Sequence, residues 1–249
     1  MGDRLDKIKP ASGFSHFIHY LLLVLLPALV FVFVRLDFIP LAVALILLSK
    51  WRMFAVKPRH WITNIRANGV DIIVGLSLLI FMIHSGSQLV QLLWAVGYAL
   101  WLIFLKPKST QISVMGQALV AQTLGLTAVF LQWGAAPVVG LVGLSWLVCY
   151  VAARHFFTAF DEPFTRFLSD LWGYFAAALV WVLSHWLLFY GVIAQPTLLL
   201  TVIGTSLGSI YYLEHNDRLS LGLRRQLLFI MLAVVAVVLI FSKWTNSAI

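Results

Sequence analysis

Asp170, Tyr174, Ala177, Trp181 and His185 recur every three or four residues in the seventh apolar run of this chain. That spacing lines an acid, a phenol, an indole and an imidazole along one stripe of a helix. Buried Tyr, Trp and His each need a hydrogen-bond partner, so the stripe is expected to point into a bundle. It would serve there as the wall of a ligand cavity opening at one membrane surface. The plainer expectation is a packing face held by a few interhelical hydrogen bonds.

Two other runs carry comparable stripes. The fourth has Gln91, Trp94, Tyr98 and Trp101, and the fifth has Ser113, Gln117, Ala121 and Gln132 with Gln122 and Thr127 beside them. Amides in hydrocarbon are best satisfied across a helix interface. The expected ligand-binding set is therefore Tyr174, Trp181, His185, Gln91, Trp94, Tyr98 and Gln117, from three helices enclosing a polar pocket. In the eighth run, Gly204-x-x-x-Gly208 is flanked by Thr201 and Thr205. Small residues at that spacing let a second helix approach closely.

A second group lies at the basic ends of the runs: Arg52, Asn64, Asn68, Asp71, Arg154 and Asp170. Asp71 is expected to pair with Arg52 or Arg154. An enzyme acting on lipid headgroups would place acids and bases at this depth. Within this group no compact set such as D-x-x-D occurs, so no catalytic residue is assigned. His16 and His19 stand at i, i+3 without a third ligand nearby, and no metal site or cofactor is expected. His84 and His185 both lie towards the sparsely charged ends of their runs; a paired haem site there is the less favoured reading. The single Cys149 excludes an intrachain disulfide and a cysteine-based zinc site. No Asp, Glu, Lys or Arg sits near the middle of a run. That argues against a carrier driven through a buried carboxylate, a voltage sensor and a retinal protein.

The elements that hold these groups follow from composition. The chain has 249 residues, 62% hydrophobic and 10% charged. A soluble domain is about 45–50% apolar and about 25% charged. The apolar residues form nine runs, expected as spans near 17–34, 38–56, 69–84, 88–105, 111–131, 138–153, 168–190, 197–213 and 226–242. The fold class is all-α, a polytopic transmembrane helix bundle in one domain over 17–242. If each run crosses once, every Lys and Arg except Arg35 and Lys243 falls on one side. The same side holds every acid except Asp37. Basic connectors stay in the cytoplasm, so residues 1–16 are expected inside and the tail 243–249 outside.

Three local expectations follow. The second run is short, and Lys50 and Arg52 are expected to snorkel and let its helix reach Val56. Trp61, Ile65 and Ile72 share a face ahead of the third span, which predicts an interfacial amphipathic turn. The first run is read as a retained span, because no small-residue cleavage site follows it. Asp6 breaks the myristoylation pattern that Gly2 begins.

Net charge is +8, and it is accounted for by the cytoplasmic connectors, so no nucleic-acid partner is expected. The chain reads as a multi-pass protein of the cell (cytoplasmic) membrane. The first functional expectation is a transport or ligand-binding component for a small neutral or amphipathic solute. The alternative is a non-catalytic subunit or scaffold meeting a cytoplasmic or membrane partner. The third is an interfacial lipid-modifying enzyme using Asp71, Asp170 or His185. The ninth run is aliphatic all round and is expected at the periphery, against lipid or a partner subunit.

Overall fold

A computed structural model describes residues 14–51, 55, 57, 59 and 61–242. Arg52 lies outside the described residues. The chain is built from helices α1 (Phe14–Arg35), α2 (Ile39–Leu48), α3 (Trp61–His84), α4 (Gln88–Leu100), α5 (Gln111–Trp133), α6 (Val138–Thr158), α7 (Thr165–Leu183), α8 (Gln195–His215) and α9 (Leu221–Ile240). Seven of them, α3 to α9, are long and apolar enough to cross a membrane. Each of the nine apolar runs corresponds to one of these helices, in order.

The boundaries follow local chemistry. Thr110 and Ser220 cap α5 and α9 by accepting from the backbone N–H three residues on. Asp37, Asp161 and Asp217 take positive φ where α1, α6 and α8 end. A short polar side chain tolerates that conformation, and there the amides of Phe38, Glu162 and Arg218 bond back to Phe33, Phe157 and Leu213.

Two spans depart from expectation. Helix α2 stops at Leu48 rather than reaching Val56, with Ser49 as its C-cap. Ten residues rise about 15 Å, half the hydrocarbon thickness. The seventh helix ends at Leu183 instead of Tyr190. A single 3₁₀ turn, Ser184–Trp186, follows it, then a two-stranded antiparallel hairpin of β1 (Phe189–Tyr190) and β2 (Ile193–Ala194). Gly191 turns that hairpin at φ +66°. The amphipathic segment from Trp61 is helical and continuous with α3.

Helix α5 is the centre. Over its span 61% of residues are buried, whereas α9 buries none. Helices α1 to α4 pack on one side of it around Ile46, Leu79, Met82 and Tyr98. Helices α6 to α8 pack on the other around Leu126, Phe130, Val180 and Leu200. At Gly125 the three helices α3, α5 and α6 meet so closely that a Cβ would lie 2.7 Å from Ile73 and 2.8 Å from Val148. Helix α7 packs mainly on α6 and only sparsely on α8. That imbalance leaves space between α7 and α8.

Candidate functional site

The space opens as a cleft of about 580 Å³ between α5, α6, α7 and α8. Its wall is apolar and aromatic: Leu119, Phe156, Leu171, Phe175 and Ile203 contribute. Polar groups are few. Gln122 of α5 and Trp172 of α7 form one edge, and Tyr211 and Glu214 of α8 form the mouth.

Gln122 is 4% exposed and holds three helices together. Its amide donates to the Leu200 carbonyl at 3.0 Å, and its oxygen accepts from the Trp172 indole at 2.8 Å. Both ends of the buried amide are thereby engaged, which fixes its orientation. Gly204 allows this: a Cβ there would lie 3.0 Å from the Gln122 nitrogen and 3.2 Å from the Trp172 ring. Gly208, one turn on, meets nothing closer than Phe156 at 3.9 Å. At the mouth, Tyr211 donates to Glu162 and stacks edge-on with Phe156, Phe157 and Phe160. Glu162 sits in the α6–α7 connector, so this bond ties the connector to α8.

The expected ligand residues do not gather at this cleft. Tyr174 and Trp181 are 65% and 50% exposed, and His185 is exposed in the 3₁₀ turn with Nδ1 2.9 Å from the Trp181 carbonyl. The stripe of α7 thus faces away from the bundle, correcting the expectation that it points inward. Its partner face, Ser169, Gly173, Ala176 and Val180, is the buried one. Small residues there let α6 come close: a Cβ on Gly173 would stand 2.9 Å from the Trp146 indole.

Helix α4 does turn its stripe inward, but onto α3. Gln91 donates to the carbonyls of Met82 and Ser85, closing the end of α3. Trp94 packs on Phe81 with ring centres 5.0 Å apart. The fully buried Tyr98 hydroxyl has no hydrogen-bond partner among the described residues. Gln117 donates to the Leu105 and Lys108 carbonyls at 2.6 and 2.8 Å, and its Oε1 accepts from His155 Nε2 at 2.8 Å. These residues seal helix ends and interfaces, and none of Gln91, Trp94, Tyr98 or Gln117 lines the cleft.

The second polar centre gathers at Asp71. Its Oδ2 lies 3.0 Å from Lys50 Nζ and 2.6 Å from Lys106 Nζ, and its Oδ1 accepts from the Trp101 indole at 3.1 Å. Asp71 therefore pairs with two lysines and not with Arg154, whose guanidinium donates to the Tyr150 hydroxyl at 3.3 Å. Lys50 does not snorkel; it is 7% exposed and turned into the protein. The early end of α2 explains both facts, since it leaves Lys50 at the depth of a carboxylate that can hold its charge. Of the other expected members, Asn68 donates to the Asn64 carbonyl at 2.9 Å, and Asp170 stands 4.0 Å from Arg166 at the surface. Asn68 and Asp170 are thus engaged away from the Asp71 centre.

Lys50, Lys106, Gln122 and Trp172 were outside the expected set. A sequence signal existed for Lys50: the run before it has too few apolar residues to carry it past the third helix. Gln122 carried a signal too, as an amide beside the stripe that Gln117 marks, but nothing local turned it toward α7 and α8. Among the described residues no group of three or more His, Cys, Asp or Glu is placed to hold a metal ion. Comparison with protein-family models, curated proteins and solved structures returns no match.

Proposed function

We propose that this chain is a multi-pass protein of the cell membrane that binds a small neutral or amphipathic solute between α5, α6, α7 and α8. On this reading it is a transport or ligand-binding component, with the basic connectors in the cytoplasm. The observation that carries it is the cleft itself. Its volume, about 580 Å³, falls in the range of small-molecule sites, and a few polar groups set in an apolar wall is the usual composition of such sites. The sparse packing of α7 on α8 supports a route by which an apolar tail enters from the bilayer. The Tyr211–Glu162 contact at the mouth is suited to a polar head.

A second reading, a subunit of a membrane complex, is favoured by α9. Its helix buries no residue within the chain and presents Phe229, Leu232, Val237 and Ile240 outward. On this reading that face meets a partner helix.

The test of the first reading fills the cleft. At Gly208 there is room for a Cβ, so Gly208→Leu is expected to fold and to project its side chain into the space. Purified protein in mild detergent is scanned for thermal stabilisation by neutral solutes and single-chain amphiphiles. Stabilisation in the wild type that disappears in Gly208→Leu supports the site. Stabilisation that survives the substitution, or none across the panel, rejects it.

A further inference from the structure

Two ammonium groups converge on one carboxylate at the end of the bundle that bears the basic connectors. Lys50 and Lys106 both reach Asp71 Oδ2, while Asp71 Oδ1 is occupied by Trp101. The centre thus carries one positive charge in excess. Its hydrogen-bond balance is equally uneven. Each ammonium has three N–H donors. Among the described residues, Asp71 is the acceptor recorded for both. Leaving donors of a buried cation unmet is costly, and the cost rises where hydrocarbon rather than water surrounds the site.

Backbone geometry adds an independent observation. Helix α4 does not continue as a regular α-helix; residues Trp101–Leu105 form a π turn, closed by the Lys106 amide on the Trp101 carbonyl at 2.9 Å. Residues five apart on a regular α-helix point about 140° away from each other. The widened turn instead brings the Trp101 and Lys106 side chains to the same carboxylate. Single π turns inside helices are frequent at functional sites. Lys50 is sealed at 7% side-chain exposure, whereas Lys106 is 35% exposed, so the centre is closed on one side and open on the other.

We propose that the Lys50–Lys106 pair, positioned by Asp71 and the π turn, is a binding site for a phosphate group. A phosphate bridges two ammonium groups with separate oxygens and adds acceptors to the one, Asp71, that they share among the described residues. Its negative charge offsets the excess positive charge without displacing Asp71. The group comes either from a phospholipid headgroup or from a free phosphate, and Lys106 is the side chain it meets first. The site is separate from the α5–α8 cleft and does not depend on it.

The full chain, purified in mild detergent, is acetylated with an amine-reactive ester, and the rate at each lysine is followed by mass spectrometry. Inorganic phosphate and dihexanoyl phosphatidic acid are added in separate arms. Lys106 is expected to be slowed severalfold relative to the exposed Lys108, the same fall in net charge notwithstanding. Protection by inorganic phosphate identifies a free-phosphate site; protection by the lipid alone identifies a headgroup site. No protection in either arm, or equal slowing of Lys106 and Lys108, overturns the proposal. Thermal stabilisation by the protecting anion is expected to need about tenfold more of it in Lys106→Gln, the loss of one charge-assisted bond, with Lys108→Gln unchanged. If Lys106→Gln does not fold, the wild-type protection pattern decides alone.

Discussion

The Lys50 ammonium sits 3.0 Å from the Asp71 carboxylate, with both side chains at a tenth or less of full exposure. The pair joins the turn after α2 to the first half of α3, and Lys106 adds α4 to the same carboxylate. Three segments of the chain's first half are therefore locked by a single acid.

Replacing that acid tests the lock. Asp71→Asn leaves two ammonium groups without an anion and is expected to cost about 3–5 kcal/mol, the range for breaking a buried pair. Lys106→Gln removes a half-exposed partner and is expected to cost clearly less. Unfolding of the purified protein in mixed detergent and dodecyl sulfate measures both. Equal losses would show that Asp71 is not the shared anchor.

Gln122 makes a second prediction. Gln122→Leu leaves the Trp172 indole unmet, at about 1–3 kcal/mol, and removes a second bond from the Leu200 carbonyl, which keeps its place in the α8 ladder. Trp172→Phe in the same chain removes one orphan and should recover part of the loss. A double-mutant cycle reads the coupling, and strict additivity would contradict a shared hydrogen bond.

Tyr98 and Gly75 form a third pair. A Cβ on Gly75 would stand 2.7 Å from the Tyr98 oxygen and 3.1 Å from Ile46. Gly75→Ala is expected to destabilise the wild type. Tyr98→Phe deletes a buried hydroxyl that has no partner among the described residues, so on its own it should be neutral or stabilising. In the Tyr98→Phe background Gly75→Ala should cost less, because the closest clash is gone. Gly97→Ala, with nothing within 4 Å, is the control and should gain up to about 1 kcal/mol from helix propensity.

Topology is open to labelling. Cys149 is fully buried, so it contributes little background to thiol chemistry in the folded protein. Ser87→Cys in the α3–α4 turn should react with an impermeant maleimide on intact cells. Ser109→Cys in the α4–α5 turn should react only after permeabilisation. The reverse pattern would invert the orientation read from the charges.

Much of the helical framework was legible in the residues, and its rotations were not. Apolar runs of about 20 residues admit few conformations in a bilayer, because every backbone group must be bonded within its own segment. The facing of each helix has no such guide. In hydrocarbon, lipid-facing and core-facing surfaces are both apolar, so a polar stripe need not mark the inside. Tyr174 and Trp181 form the most chemical stripe of α7, yet they face out while Ser169, Gly173 and Ala176 make its contacts. The amide that ties α5 to α7 and α8, Gln122, lay just off the expected line.

The sequence by itself determined the class, the order of the helices and the band of charge at their basic ends. Those properties depend on residue type and on position along the chain, which the bilayer reads one segment at a time. The tertiary structure alone decided where α2 stops, which lysines Asp71 holds and where α7 and α8 leave space. Those properties depend on helix rotation and on close approach at residues such as Gly125 and Gly204. Each is set by side chains far apart in sequence, and no local pattern encodes them.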